Sequence, residues 1–129
     1  MYTVHHIGRV VKNIQRELKY YRSVGFKCSK SIKTDQFQKV RVGLVNLGDG
    51  ILLELIQPYG KKSPIKNFLT NGGGLHHICY QSDNLLNTMQ DLKEYGKIIS
   101  KPTPSVFGGK KVLFFYSNQG EIIEFIEKR

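Results

Sequence analysis

The chain has 129 residues, 40% of them apolar, and 20 Lys+Arg against 10 Asp+Glu give a net charge of +10. That length supports one domain with a real core, and seven Tyr and seven Phe exclude a disordered chain. No apolar run approaches the roughly 20 residues that cross a bilayer. The opening stretch MYTVHHIGRVV lacks the separate charged and apolar regions of a secretory leader.

The charge is unevenly placed. Residues 1–71 hold 13 Lys+Arg and 4 Asp+Glu, a balance of +9, whereas residues 72–129 hold 7 and 6, a balance of +1. Such a field attracts anions of any kind. Nothing in the chain resembles a recognition helix, a zinc finger or an aromatic RNA-binding strand, so neither nucleic acid nor membrane is expected as a partner. Cys28 and Cys79 show no metal-type spacing and read as two ordinary thiols of a cytoplasmic protein.

In chain order, VHHIGRVV (4–11) opens as an apolar strand. A helix follows, with Ile14, Leu18 and Tyr21 at i, i+4 and i+7, Asn13 as N-cap and Gly25 as its stop. Three strands come next: FKCSKSIK, KVRVGLVNL and ILLELIQP, the last two parted by the turn residues GDG. KKSPIKNFLTNGGG then forms a connection containing a short helix, capped by Ser63 with Pro64 at its first position. LHHICYQS opens a second strand–helix pair, with Asn84 as cap, Leu85, Met89 and Leu92 on the buried stripe and Gly96 as stop. The strands KIISKPT, KVLFFYS and EIIEFIE close the chain.

The two halves are copies. At an offset of 71, HHI (5–7) meets HHI (76–78), Asn13 meets Asn84 and Gly25 meets Gly96. At an offset of 70, GILLELIQ (50–57) meets GEIIEFIE (120–127), and Glu54 meets Glu124. A one-residue difference in loop length accounts for the change of offset, and βαβββ twice is the simplest description.

Strand alternation sets Glu54 among Leu52 and Ile56 on one face, with Leu53 and Leu55 on the other. Both faces are apolar, and Glu124 between Ile123 and Phe125 repeats the situation. Carboxylates on buried strands are neutralised, paired or metal-bound. A single buried His or strand Glu is more often structural than a ligand. Both residue types duplicated at matching positions, 48 and 47 residues apart, point instead to a His2Glu2 metal site of His6, Glu54, His77 and Glu124. Two imidazoles and two carboxylates suit an octahedral divalent ion with two positions left for water or substrate. Nickel, cobalt, manganese, iron and zinc all fit this donor set, and its mixed N/O character is that of a catalytic rather than a structural site.

HHIGRVV, LLELIQP, GLHHICY, the GGKKV loop and IIEFIE together resemble the vicinal oxygen chelate superfamily, which includes glyoxalase I, methylmalonyl-CoA epimerase, extradiol dioxygenases and bleomycin-resistance proteins. The resemblance covers the whole chain. It implies an α+β fold in which two tandem βαβββ modules form an open, cup-shaped mixed sheet around the metal, with helices outside. The expected organisation is a single domain over 1–129, with module one at 1–60, the connection at 61–74 and module two at 75–129. Carried over position by position, the family's ligands fall on His6, Glu54, His77 and Glu124, the second histidine of each pair. A homodimer is also implied.

The resemblance further implies proton transfer next to a thioester or hemithioacetal carbon, through an enediolate or enolate held on the metal, with Glu124 as base. Glu54 takes the opposite face of the substrate or serves only as ligand. Glu at both second ligands is the pattern of small bacterial nickel- and cobalt-type glyoxalases, whereas epimerases commonly have Gln at the position of Glu54 and an HPKS-like segment where this chain has YSNQ. The expectation is therefore a glyoxalase I that converts the methylglyoxal–glutathione hemithioacetal to S-lactoylglutathione, with nickel or cobalt favoured. KVRVGLVNLGD, SPIKNFL and GLHHICY look more like methylmalonyl-CoA epimerase, which is the alternative. The basic half suits either small anionic thiol-derived substrate. It counts against a non-catalytic bleomycin-type binder, the lesser alternative, because such modules lack the metal set and are acidic. An extradiol dioxygenase keeps only one carboxylate ligand, which the second Glu opposes.

Three features stand apart from this set. PSVFGGKKV (104–112) reads either as a wrap around a substrate carboxylate or phosphate or as an ordinary glycine-bearing turn. Arg9 falls on the face opposite His6 and reads as a substrate or dimer-interface contact. His5 and His76 read as outward-facing partners of the ligand histidines.

Overall fold

The structure is a computed structural model that describes residues 2–128, arranged as two compact units, residues 6–76 and residues 2–5 with 77–128. Along the first half of the chain, strand β1 (Thr3–Val10) leads through helix α1 (Ile14–Ser23) to β2 (Lys33–Asp35), β3 (Val40–Gly48) and β4 (Ile51–Pro58), and then to helix α2 (Lys66–Thr70). β1 runs parallel to β4, and β4–β3 and β3–β2 are antiparallel. The second half repeats this path with β5 (Gly74–Ser82), α3 (Leu85–Asp91), β6 (Gly96–Ile98), β7 (Thr103–Pro104), β8 (Lys111–Ser117) and β9 (Ile122–Glu127). There β5 is parallel to β9, and β8 is antiparallel to β9, β6 and β7. The fold is α+β, built as the internal repeat requires. No helix of the described residues is long and apolar enough to cross a membrane.

α1 forms where the periodicity puts it. The Asn13 side chain accepts the Arg16 N–H at 3.0 Å, and Ile14 and Leu18 are buried against β3 and β4. The helix stops in a Schellman arrangement: the Gly25 N–H reaches the Arg22 carbonyl, the Phe26 N–H reaches the Tyr21 carbonyl, and Gly25 takes φ of 104°. The Tyr21 and Phe26 rings meet edge-on at 5.6 Å and complete it. In the second unit Asn84 caps α3 through the Asn87 N–H at 3.1 Å. Each helix covers one sheet face, so Leu53 and Leu55 lie under α1, while Leu113, Phe115 and Phe125 cluster with Leu85 of α3. The opposite face of each unit is left for the glutamates. The GDG turn is a two-residue connection in which Asp49 and Gly50 both take positive φ, the primed geometry that matches hairpin twist.

Three expectations need correction. Ser63 does not cap α2 with its side chain; its carbonyl accepts the Lys66 N–H, the N-cap position falls on Ile65, and Pro64 lies in the turn before the helix. Gly96 does not stop α3, which ends at Asp91 and gives way to a turn over 92–95. The glycine is required by packing instead, because a Cβ there would lie 2.2 Å from the Tyr116 carbonyl oxygen and 2.5 Å from Phe115 Cζ. Gly96→Ala is expected to destabilise the protein by about 1–3 kcal/mol or more, read as a lowered midpoint in urea unfolding; an unchanged midpoint would refute the close approach.

The third correction concerns FKCSKSIK and KIISKPT, neither of which is one continuous strand. Cys28 pairs with Val45, and pairing resumes at Lys33 with Val42, so the paired numbers sum to 73 and then to 75. In the second unit Ile98 pairs with Phe115 and Thr103 with Val112, sums of 213 and then 215. Both edge strands therefore carry the same two-residue bulge. At each bulge a serine side chain takes over a ladder contact: Ser29 Oγ accepts the Leu44 N–H at 3.0 Å, and Ser100 Oγ accepts the Phe114 N–H at 2.9 Å. Leu44 and Phe114 are the register partners of Glu54 and Glu124, so the bulges bend the sheet beside the two carboxylates.

Candidate metal centre

In the first unit the parallel register sets Gly8 opposite Glu54 and His6 opposite Leu52. His6 and Glu54 are thus diagonal neighbours on the face away from α1. His6 Nε2 lies 3.5 Å from Glu54 Oε1, and both residues are buried. In the second unit Cys79 is opposite Glu124 and His77 stands two residues earlier on the same face. His77 Nε2 lies 3.1 Å from Glu124 Oε1, again with both residues buried. The Phe114 ring meets the His77 imidazole edge-on at 5.4 Å and limits its rotation. Each unit therefore places one imidazole nitrogen and one carboxylate oxygen side by side in an apolar setting, Leu52 and Ile56 flanking Glu54, and Ile122 and Ile126 flanking Glu124.

The remaining sequence candidates separate from these pairs. Arg9 faces α1, as alternation requires: its Nη1 is 3.0 Å from Glu17 Oε1 and donates to the Tyr21 hydroxyl at 3.1 Å. It ties β1 to α1. His5 and His76 are half-buried rather than turned to solvent, edge-on against Phe107 at 4.8 Å and Phe68 at 4.9 Å respectively. In the PSVFGGKKV stretch Gly108 and Gly109 take positive φ, the Ser105 N–H bonds the Lys110 carbonyl at 2.9 Å, and the Lys111 N–H bonds the Glu127 carboxylate at 2.8 Å. The stretch is a tight β7–β8 hairpin. Neither cysteine is in a disulfide. The bulge serines and Phe107 and Phe114 escaped the sequence reading, although Ser29 and Ser100 do coincide at the repeat offset of 71.

Residues 5–114 match the Glyoxalase/Bleomycin resistance protein/Dioxygenase superfamily, and the chain belongs to that superfamily. Within it, the chain is 34% identical to a mitochondrial methylmalonyl-CoA epimerase of Dictyostelium discoideum, over 97% of this chain and 78% of that protein. It is 31% identical to the mitochondrial methylmalonyl-CoA epimerase of Bos taurus, over 94% of this chain and 71% of that one. A solved methylmalonyl-CoA epimerase in complex with methylmalonyl-CoA and NH4+ shares the fold at a TM-score of 0.87 and 20% identity, covering 98% of this chain and 94% of its own.

These relatives overturn the expectation of a glyoxalase I, and they lend no support to lyase activity, methylglyoxal detoxification or nickel in particular. That expectation rested on Glu54 and on the absent HPKS-like segment. Gln and Glu both offer a side-chain oxygen at the same reach, so the identity of one ligand reports poorly on the substrate. Similarity spread along the whole chain carries more information than that single position.

Proposed function

We propose that this protein is an epimerase of methylmalonyl-CoA or a close α-branched malonyl thioester, with one divalent ion held jointly by His6, Glu54, His77 and Glu124. The observation that carries the reading is the repeated diagonal His–Glu pair, with its nitrogen and oxygen 3.5 Å and 3.1 Å apart. Ligand atoms about 2.1 Å from an ion and at right angles around it are about 3 Å from one another. The 3.5 Å separation is long for a hydrogen bond, which centres near 2.9 Å, yet it suits two neighbours on a common ion. The donor set therefore fits the metal that the family implies. A bound divalent ion would supply Lewis-acid polarisation of the thioester oxygen.

The chain's own residues do the rest. Glu124 accepts the α-proton of the thioester, and its apolar neighbours exclude water that would compete for that proton. Glu54 either returns a proton on the opposite face or acts only as a ligand. The +9 balance over residues 1–71 supports an acyl-CoA, whose phosphates carry several negative charges. A homodimer, on the family resemblance, and a cytoplasmic setting, on the reading of Cys28 and Cys79 as ordinary thiols, belong to the same proposal.

The test is exchange at carbon 2. Methylmalonyl-CoA incubated with the metal-loaded protein in D2O is expected to gain one deuterium and to racemise, followed by mass spectrometry and chiral analysis. Failure to incorporate deuterium under conditions where the protein is folded and metal-loaded would sink the reading.

A further inference from the structure

Three rows of side chains cross the face of the second unit that carries His77 and Glu124. Glu124 aligns with Cys79 on one side and Phe114 on the other. One step toward the end of β9, Ile126 aligns with Val112, and one step back, Ile122 aligns with Tyr116. The two outer rows differ sharply in exposure. Val112 and Ile126 are each 0% exposed and pack, with Cys79 of the central row, against Phe107, whereas Ile122 is only half-buried and Tyr116 is 47% exposed. The face is thus shut on one side of Glu124 and open on the other.

Phe107 is the cover of the shut side, and it arrives on the β7–β8 hairpin rather than from a strand. Its backbone is fixed at both ends: its N–H bonds Ser105 Oγ at 3.2 Å, and its carbonyl accepts the Lys110 N–H at 3.2 Å. The His5 ring braces it edge-on. Glu124 and Ile126, two residues apart on one strand, stand about 7 Å from each other. A carbon within about 3–3.5 Å of the Glu124 carboxylate therefore has only a few ångströms before the shut row.

We infer that Phe107 is a specificity-determining wall: it limits the α-alkyl branch of the malonyl thioester to about the size of a methyl group, while the coenzyme arm leaves past Ile122 and Tyr116. This rests on the epimerase reading above and assigns a role to the glycine hairpin that the metal centre does not use.

The test compares methyl-, ethyl- and propylmalonyl-CoA in the deuterium-exchange assay with wild type, Phe107→Ala and Phe107→Leu. For Phe107→Ala the propyl-to-methyl ratio of kcat/KM is expected to rise at least tenfold, with Phe107→Leu intermediate. A ratio within twofold of wild type in both variants, with methylmalonyl-CoA still exchanged, overturns the wall and leaves the epimerase reading standing. If Phe107→Ala fails to fold, judged by circular dichroism, Phe107→Leu alone decides, and its expected rise is at least threefold. If wild type exchanges none of the three substrates, the epimerase reading fails. Calorimetric affinities for the same series then decide the wall, and a chain-length preference that Phe107→Leu leaves unchanged, or no binding at all, removes it.

Discussion

Glu124→Gln is expected to slow deuterium exchange at carbon 2 of the epimer whose proton faces Glu124 by about 10²–10⁴-fold, the usual contribution of a positioned general base. Glutamine keeps the length and an oxygen that can still face a metal, but it cannot accept a proton at neutral pH. The variant should fold, because Glu124 is 2% exposed and a neutral amide is easier to bury there than a carboxylate. An unchanged or raised thermal midpoint together with lost exchange would assign the loss to chemistry; exchange at the wild-type rate would remove Glu124 as the base. The same assay separates the two roles left to Glu54. A base on the opposite face predicts that Glu54→Gln still exchanges one epimer while failing to invert it. A ligand-only role predicts that exchange of both epimers declines together.

What the sequence made legible is what a repeat amplifies. His6 with Glu54 and His77 with Glu124 were each weak signals alone, and their matching spacing picked out the residues that stand as two similar buried pairs. The caps Asn13 and Asn84 were readable because a cap is a local contact between a side chain and a backbone three residues on. Gly96 was misread because a glycine needed for close approach to Tyr116, some 20 residues away in the chain, looks the same in sequence as one needed to stop a helix. The bulges were missed for a related reason. Alternation in FKCSKSIK predicts a strand, but the register slip depends on which residues of β3 it meets, and that information is not local. Ser29 and Ser100 held the missing clue, since both stand at the slip in each copy. Substrate identity was the least legible property. The pattern that the sequence shows most clearly, the duplicated His–Glu pair, was read as common to a whole superfamily and so could not tell one member's substrate from another's.

Removing the metal is expected to have the second-largest effect, and its stoichiometry tests whether the two pairs act as one centre. After gentle purification, elemental analysis should find about one divalent ion per chain, because each pair offers only two protein donors and a tight octahedral site needs more. Metal at 100 times its Kd stabilises the folded state by about 2.7 kcal/mol. For a domain of this size that corresponds to a rise in Tm of about 10 °C over the chelator-stripped protein, read by differential scanning fluorimetry without any substrate. His6→Ala and His77→Ala each remove one of four donors, so each should abolish most of that rise. Equal losses from the two variants are what a shared ion requires, since neither pair would retain enough donors to compensate. Two ions per chain, or a rise that survives one of the two substitutions intact, would mean that the pairs bind separately, and the single-centre proposal would fall even if the protein proved to be an epimerase. Zinc, cobalt, manganese and nickel run side by side in the same titration would then rank the metals by the size of the rise, a preference on which the donor set alone is silent.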